Sequence, residues 1–485
     1  MKIRYLIPND ELNSNSELLD FDVDRCTSNF RDSDEKTLLF LLPGVSFDTY
    51  ELVDEYINSK HFAIVTENSS KFNKATLNII EVKNARKCFS FAMSQISDIN
   101  YGALSFIGIT GTNGKTSTAT MIYNILHSAD IKCGFIGTGK IFFDDISYVD
   151  RCYSMTTPDP EVLYPIIKDM QKRGCESIII EASSHALELD KLFPIPFKIG
   201  IFTGISHEHL EFHGSMEKYF EAKEKLISNA ESVIINFDDP HGKKLYEKYK
   251  DKSTGIGVVW RSDSSATDVK NFGMLGIGYL YRSKNVVTRI KLPLPGLYNV
   301  YNSMLAFEAA YKMNLPVSKI KSALENTRHI DGRFEIIKDD VTVIIDYAHT
   351  PLALELLLKT VNSVKNTGQK IILVFGCGGE RDPSKRPLMA KAAEKYADKI
   401  IVTNDNPRGE DEKKIISDII SGFTRHTHGV ILNRSLAIEY AIVNADKNDV
   451  VVIAGKGHEK YIKDKNGTHE FNEKEIIFNS LKLRK

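Results

Sequence analysis

Two short stretches, nearly three hundred residues apart, carry side chains whose chemistry can be named. In ITGTNGKTS, residues 109–117, Gly111, Thr112, Asn113 and Gly114 lead into Lys115, Thr116 and Ser117. Glycines let backbone N–H groups approach phosphates, a lysine can reach the terminal phosphates, and a threonine hydroxyl can ligate Mg²⁺. The common phosphate loop, G-x-x-x-x-G-K-[ST], wants a glycine where this chain has Ile109. That displacement argues against a GTPase or a standard ATPase. A glycine-rich turn with a solvated Lys115 is the structural alternative. In DNPR, residues 405–408, the Arg408 fork suits a carboxylate, Asn406 can donate or accept, and Pro407 stiffens the loop. An Asn-Pro turn with a solvated arginine is the alternative there.

Three further residues lie between these stretches. Glu181 ends the apolar run of ESIIIEASSH, where a carboxylate can hold Mg²⁺ or cap a loop. HEHLEFH holds His207, His209 and His213, but no cysteine and no H-E-x-x-H spacing supports zinc. In SMEKYFEAKEKLI the apolar residues recur at helical spacing, and Lys223 falls on their face with Met216 and Tyr219. A buried ammonium is costly unless neutralised or paired. A lysine that snorkels to the edge of the stripe remains the alternative.

Strands and helices must position these groups. LSFIGIT reads as a strand feeding the glycine loop, and KTSTATMIYNILHSA as the helix after it. CESIIIEASSH, KIGIFTGISHEH and ESVIINFDD each read as a strand entering a polar loop. This alternation argues a mostly parallel sheet. VVTRIKLPLPG suggests a β-rich insertion over residues 255–295. SQISDINYGA (94–103) and DGRFEIIKDD (331–340) read as boundaries. Beyond the second, VTVIIDYAHTP, KIILVFGCGGERD, DKIIVTNDNPRG and DVVVIAGKGHE repeat the rhythm. Ligands of open α/β sheets bind outside the carboxyl ends of strands, so these four loops should line one crevice.

The chain has 485 residues, 42% hydrophobic and 26% charged, which suits two to four globular domains. A net charge of −1 with no long basic run argues against a nucleic-acid binder. Cys26, Cys88, Cys133, Cys152, Cys175 and Cys377 are scattered without a C-x-x-C pair, which fits reduced thiols. MKIRYLIPNDELN turns polar too soon for a signal peptide, and no apolar run approaches the ~20 residues of a membrane span. A cytoplasmic monomer without membrane or nucleic-acid partners is expected.

Gly-Thr-Asn-Gly-Lys-Thr resembles the phosphate loop of the Mur ligase family. So do TTPDP (156–160), EASSH (181–185), HEHLEFHGSMEKYFEAKEKL (207–226), YNVYNSMLA (298–306), DGRFE (331–335), DYAHTP (346–351), GCGGERDPSKRP (376–387), DNPR and GKGHE (455–459), in the family's order. TSNFRD (27–32) and LLPGVSFD (41–48) are looser matches. The resemblance implies an α/β chain of three domains: a UDP-sugar-binding domain (1–97), a central ATP-binding domain on a P-loop-type, mostly parallel sheet (98–332), and a Rossmann-like amino-acid-binding domain (333–485). It implies an ATP-dependent, acyl-phosphate-forming ligase of peptidoglycan synthesis. DNPR implies meso-diaminopimelate as the amino acid, added to UDP-MurNAc-L-alanyl-D-glutamate.

Residue by residue, the resemblance gives Lys115, Glu181, His209 and Lys223 to catalysis, with Lys223 carbamylated. Thr116, Glu181, His209 and the Lys223 carbamate would hold Mg²⁺. Besides residues 111–117, Asn302, Arg333, Asp346 and His349 would bind ATP, although Asp346 also suits a turn before a proline. Ser28, Thr156, Thr157, Ser183 and Lys191 would meet the UDP-sugar peptide. Arg381, Asp405, Asn406, Pro407, Arg408, Gly455 and Glu459 would form the amino-acid pocket. After SSHAL many relatives carry Gln and Arg where this chain has Leu189 and Lys191. A related ligase forming another amide, lysine-adding or in secondary metabolism, and a nucleotide-binding partner without turnover are the competing readings.

Overall fold

The computed structural model describes residues 1–13, 17–44, 48–72, 77–150, 153, 155–425 and 428–484. Cys152 and the middle of LLPGVSFD lie outside the described residues. The first sheet is parallel, in the order β1 (Arg25–Thr27), β2 (Thr37–Phe40), β3 (Ala63–Thr66) and β4 (Ile79–Glu81). β2 and β3 are buried along their whole length, as runs of apolar residues in a parallel sheet should be. The helix Ala85–Ile96 follows and ends within SQISDINYGA (94–103).

The central sheet has strands β5 (Ser105–Thr110), β6 (Cys133–Gly137), β7 (Lys140–Phe143), β8 (Ile146–Ser147), β9 (Ser177–Glu181), β10 (Phe197–Phe202), β11 (Ser232–Asn236), β12 (Ser253–Gly257), β13 (Ser264–Asn271), β14 (Ile277–Arg282) and β15 (Val287–Leu292). Their order is β15-β14-β13-β12-β11-β10-β5-β9-β6-β7-β8. β5 lies between β10 and β9, parallel to both. The expected β-rich insertion is instead a continuation: β13 joins β12 in parallel, and β14 and β15 then extend the sheet antiparallel. Hydrogen bonding along an open edge needs only another strand in register, so the hairpins add to the sheet instead of forming a separate unit.

The third sheet contains β16 (Glu335–Lys338), β17 (Thr342–Asp346), β18 (Ile371–Phe375), β19 (Lys399–Val402), β20 (His428–Val430) and β21 (Val450–Ala454), in the order β16-β17-β21-β18-β19-β20. β17, β21, β18 and β19 are neighbours and parallel, so the four loops anticipated above do emerge along one edge. Apolar layers cover both faces of this sheet. One continuous core joins the first unit to one face of the central sheet, from Ile3 and Phe40 through Tyr164 to Leu245. No helix among the described residues is long and apolar enough to cross a membrane.

Candidate active site

The strand β5 delivers the glycine loop to the N-terminus of the helix Lys115–Ser128, where Gly114 at φ +89° is the cap. A side chain at Gly114 would be strained by that φ and would meet Asn302 Oδ1 at 2.6 Å. Asn302 is buried in the helix Leu297–Lys312 and packs behind the loop, accepting from Thr118 Oγ1. Open N–H groups at a helix start attract anions, so the loop is built for phosphate.

Glu181 ends β9, directly beside Ile109 of β5. It is fully buried. Its Oε2 accepts from Thr116 Oγ1 (3.0 Å) and Thr138 Oγ1 (2.9 Å), whereas Oε1 has no hydrogen-bond partner. Gly137 leaves room for that oxygen, which a side chain there would strike. A buried carboxylate oxygen with no donor is a cation ligand in waiting. No group of three His, Cys, Asp or Glu that could hold a metal occurs among the described residues. The set fits Mg²⁺, a hard ion whose shell is commonly completed by substrate phosphate and water.

Lys115 and Lys223 both donate to the Gly111 carbonyl, each at 2.9 Å, and Lys115 also reaches Thr112 O. Lys223 is buried in the helix Met216–Asn229 with its ammonium 4.4 Å from the Tyr219 ring centre. Its side chain therefore does not snorkel to solvent. Burial, then the charge of Lys115, pushes the Lys223 amine well below the usual lysine range. Burial also lowers Lys115, with Glu181 and Glu208 working against it.

His209, in a left-handed turn at φ +57°, faces Glu208 (3.7 Å) and Glu211 (3.8 Å), not Glu181. His213 is buried on Ser184 Oγ at 3.0 Å, and His207 is exposed. Glu208 escaped the sequence reading. Burial opposes its ionisation, but the hydrogen bond from His349 Nε2 (2.8 Å) and nearby positive charge hold its carboxyl well below the usual range. His349 Nδ1 in turn donates to Tyr347 O at 2.9 Å. The alternating histidine and acid of HEHLEF was visible in sequence, but its partner in DYAHTP, 141 residues away, was not.

Arg333 donates to Thr116 Oγ1 at 3.2 Å and lies 4.2 Å over the Tyr347 ring. It therefore joins the third sheet to the phosphate loop. Asp346 lies near Arg333 and Tyr298, and its two oxygens accept from the backbone N–H of Phe334 (2.7 Å) and Ala348 (2.8 Å). The first of these bonds fixes the residue after Arg333.

The loops that follow β18, β19 and β21 converge through their own hydrogen bonds. Asn406 is fully engaged: Nδ2 donates to Glu459 Oε2, and Oδ1 accepts from Lys456 Nζ and Lys463 N, all at 2.9 Å. Glu459 Oε1 accepts from Tyr347 at 3.2 Å. Asp405 is buried, and although burial opposes its ionisation, Lys456 and Arg434 keep its carboxyl below the ordinary range. Gly455, at φ +118°, makes room for Asp405 Oδ2. Lys456 and Arg434, both buried, are the supports that the sequence reading missed. Arg408 follows Pro407, which is buried, and spends Nη1 on Gly379 O (2.7 Å) and Asn406 O (3.3 Å). Its Nε and Nη2 make no hydrogen bond among the described residues. Burial, then the charge of Arg408, lowers Arg381 below its usual range. Two guanidinium groups close enough to repel each other suit an added carboxylate.

On the other side, Thr157 Oγ1 donates to Glu181 O (2.8 Å) and Ser183 Oγ (3.3 Å), and Thr156 meets Thr138 at 3.1 Å. These three sit directly beside Glu181. Ser28 N donates to Glu161 Oε1 at 3.0 Å, which docks the first unit on the helix Pro160–Lys172. Lys191 is paired with Asp159 at 2.6 Å and so is already neutralised.

With this geometry in place, comparison with known proteins defines the class. Residues 109–310 match the Mur ligase middle domain, and residues 332–457 match the Mur ligase glutamate ligase domain. The chain belongs to the Mur ligase family. It is 37% identical, over 98% of both chains, to the UDP-N-acetylmuramoyl-L-alanyl-D-glutamate–2,6-diaminopimelate ligase of Clostridioides difficile. It is 34% identical over 98% of both chains to the Clostridium tetani protein of the same name. A solved structure of a ligase with that name superposes with TM-score 0.69 at 26% identity, covering 100% of this chain and 99% of the other. An ADP complex of MurF ligase from Thermotoga maritima shares the fold, with TM-score 0.60 at 16% identity, covering 95% and 98%.

Proposed function

We propose that this chain is the ATP-dependent ligase that joins meso-diaminopimelate to UDP-N-acetylmuramoyl-L-alanyl-D-glutamate in peptidoglycan synthesis. The observation that carries the reading is a juxtaposition. Arg333 bonds Thr116 of the phosphate loop and stacks on Tyr347, which bonds Glu459 beside the DNPR loop. A phosphoryl donor and an amino acid held there would share one cleft.

The D-glutamate carboxylate attacks the γ-phosphorus of ATP, and ADP leaves. The amine of diaminopimelate then attacks the acyl carbon, forming the amide and expelling phosphate as the amine loses a proton. The loop N–H groups, Lys115 and Arg333 hold the triphosphate, with Asn302 fixing the loop from behind. Thr116, Glu181, His209 and a Lys223 carbamate would hold Mg²⁺, which supplies charge neutralisation between two anions. Thr156, Thr157 and Ser183 border the reacting carboxylate, and Ser28 lies on the nucleotide-sugar side. Arg408 and Arg381 take the distal carboxylate of the amino acid, and Glu459 its distal ammonium.

Carbamylation is supported by the two lysines that share Gly111 O. A neutral Lys223 amine can add to CO₂ and lose a proton, which replaces one of two crowded cations by an anion. Units spanning 1–97, 98–332 and 333–485, a cytoplasmic location and a monomeric state complete the proposal.

ADP release measured with the UDP-dipeptide plus either meso-diaminopimelate or L-lysine tests it. Release that depends on diaminopimelate is expected. A clear preference for lysine would overturn the reading of DNPR, and no amino-acid-dependent release would overturn the ligase assignment.

A further inference from the structure

One cavity lies largely outside the groups the mechanism uses and meets them only at Thr116 and Thr138. It has a volume of about 450 Å³ and lies between the helix Lys115–Ser128, the β6–β7 hairpin and the linker 326–331. That size lies within the range of small-molecule sites, roughly 300–1,000 Å³. Its floor is aromatic. Phe135 and Phe142 stack at 5.2 Å with their planes 12° apart, and Tyr123 meets Phe142 edge-on at 5.1 Å. Thr120 and Asn124 line the cavity from the helix.

At the linker end, Arg328 is exposed and makes no ion pair or side-chain hydrogen bond among the described residues. His329 stands beside it. The acid on this rim, Asp331, is neutralised by Lys140 and held below its ordinary range despite its burial. At the opposite end is His458, from the loop that carries Glu459. Neither of its ring nitrogens makes a hydrogen bond of good geometry, although the Thr138 backbone is close by. Burial keeps this imidazole neutral, with a pKa pushed down to about 3. It therefore offers one donor and one acceptor to whatever enters.

We propose that this cavity is an effector site for a planar heteroaromatic phosphate of mononucleotide size. The rings stack a base, the unpartnered His458 presents its ring nitrogens to its edge, and Arg328 takes the phosphate. Stacking on aromatic faces and cationic capture of phosphate are the general means of holding such a ligand. A ligand touching both His458 and the linker would bind the closed arrangement better than an open one, and so favour closure. The linker leads within two residues to Arg333, which gives that coupling a short path.

AMP is the probe, titrated calorimetrically into the full-length protein saturated with Mg²⁺, β,γ-imido-ATP and UDP. Both substrate nucleotide positions are then filled. Saturable AMP binding is expected, weakened at least about tenfold by Arg328→Glu, on the exposed rim, and by Thr120→Trp, which fills the cavity. The KM for ATP in both variants should stay within about twofold of wild type. Absence of AMP binding to the wild type, or binding that neither variant weakens, would overturn the proposal. So would a tenfold rise in the KM for ATP in either variant, which would make the cavity part of the substrate site. Arg328→Glu keeps the test informative if Thr120→Trp does not fold. Ligase turnover of the wild type, measured separately, reports on the proposed function alone.

Discussion

Lys223 shows how one residue changes meaning with its surroundings. A lysine on an apolar helical face has two outcomes, and the structure selects burial on Gly111 O beside Lys115. Lys223→Ala is expected to lower turnover by more than about 100-fold, the scale of losing a preorganised electrostatic group, while ATP still binds. ¹³C NMR under ¹³CO₂ should show a carbamate resonance that this variant lacks. Its absence from active wild type would remove carbamylation from the mechanism. Arg408 permits a second test. Its Nε and Nη2 make no hydrogen bond among the described residues, while Nη1 holds the loop. Arg408→Lys loses the fork, and a charge-assisted hydrogen bond contributes about 1.5–3 kcal/mol. The KM for diaminopimelate should therefore rise roughly 10- to 100-fold. The KM for ATP, measured alongside, should hardly move.

At the scale of elements, loops matter more than the strands that carry them. Arg386 is buried at the start of the helix Lys385–Tyr396 and grips Glu410 (2.7 Å) and Asp418 (2.8 Å). Glu410 Oε2 also accepts from Glu380 N at 3.0 Å, so this carboxylate ties the GCGGERD loop to the DNPR loop. The hydrogen bond from Arg386 lowers the Glu410 carboxyl from 4.5 to about 2. The folded state therefore binds fewer protons here than the unfolded chain. The stabilisation is complete above pH 4.5 and is lost as pH falls towards about 2. Chemical denaturation across that interval should show a shallower pH dependence for Glu410→Gln than for wild type. Identical slopes would mean that the pair contributes nothing.

For the whole molecule, contacts across the cleft decide whether the site exists at all. Glu208 belongs to the central sheet's loops and His349 to those of the third sheet. His349→Ala removes the hydrogen-bonded partner of Glu208 and leaves it only His209 at 3.7 Å, which weakens the contact across the cleft. The expected result is a more open molecule: a larger radius of gyration by X-ray scattering and a raised KM for ATP. Scattering unchanged from wild type would show that closure does not depend on this pair. Restoring neutrality with Glu208→Gln in the same chain should recover part of the compaction.

The alternation of apolar strands with polar loops determined the α/β class and the order of the four third-sheet loops, because side-chain burial on a parallel sheet is a local pattern. The displaced glycine and DNPR likewise pointed to phosphate and carboxylate chemistry, since residue type and spacing alone limit what those loops can bind. Only the tertiary structure decided that β13–β15 continue the central sheet, that Asp346 serves the backbone, and that Asn406 organises Glu459 and Lys456. It alone paired Glu208 with His349 and both lysines with Gly111. The reason is physical. Hydrogen bonds and burial depend on which atoms meet in space, and neither residue type nor spacing records which side chains of different loops have met.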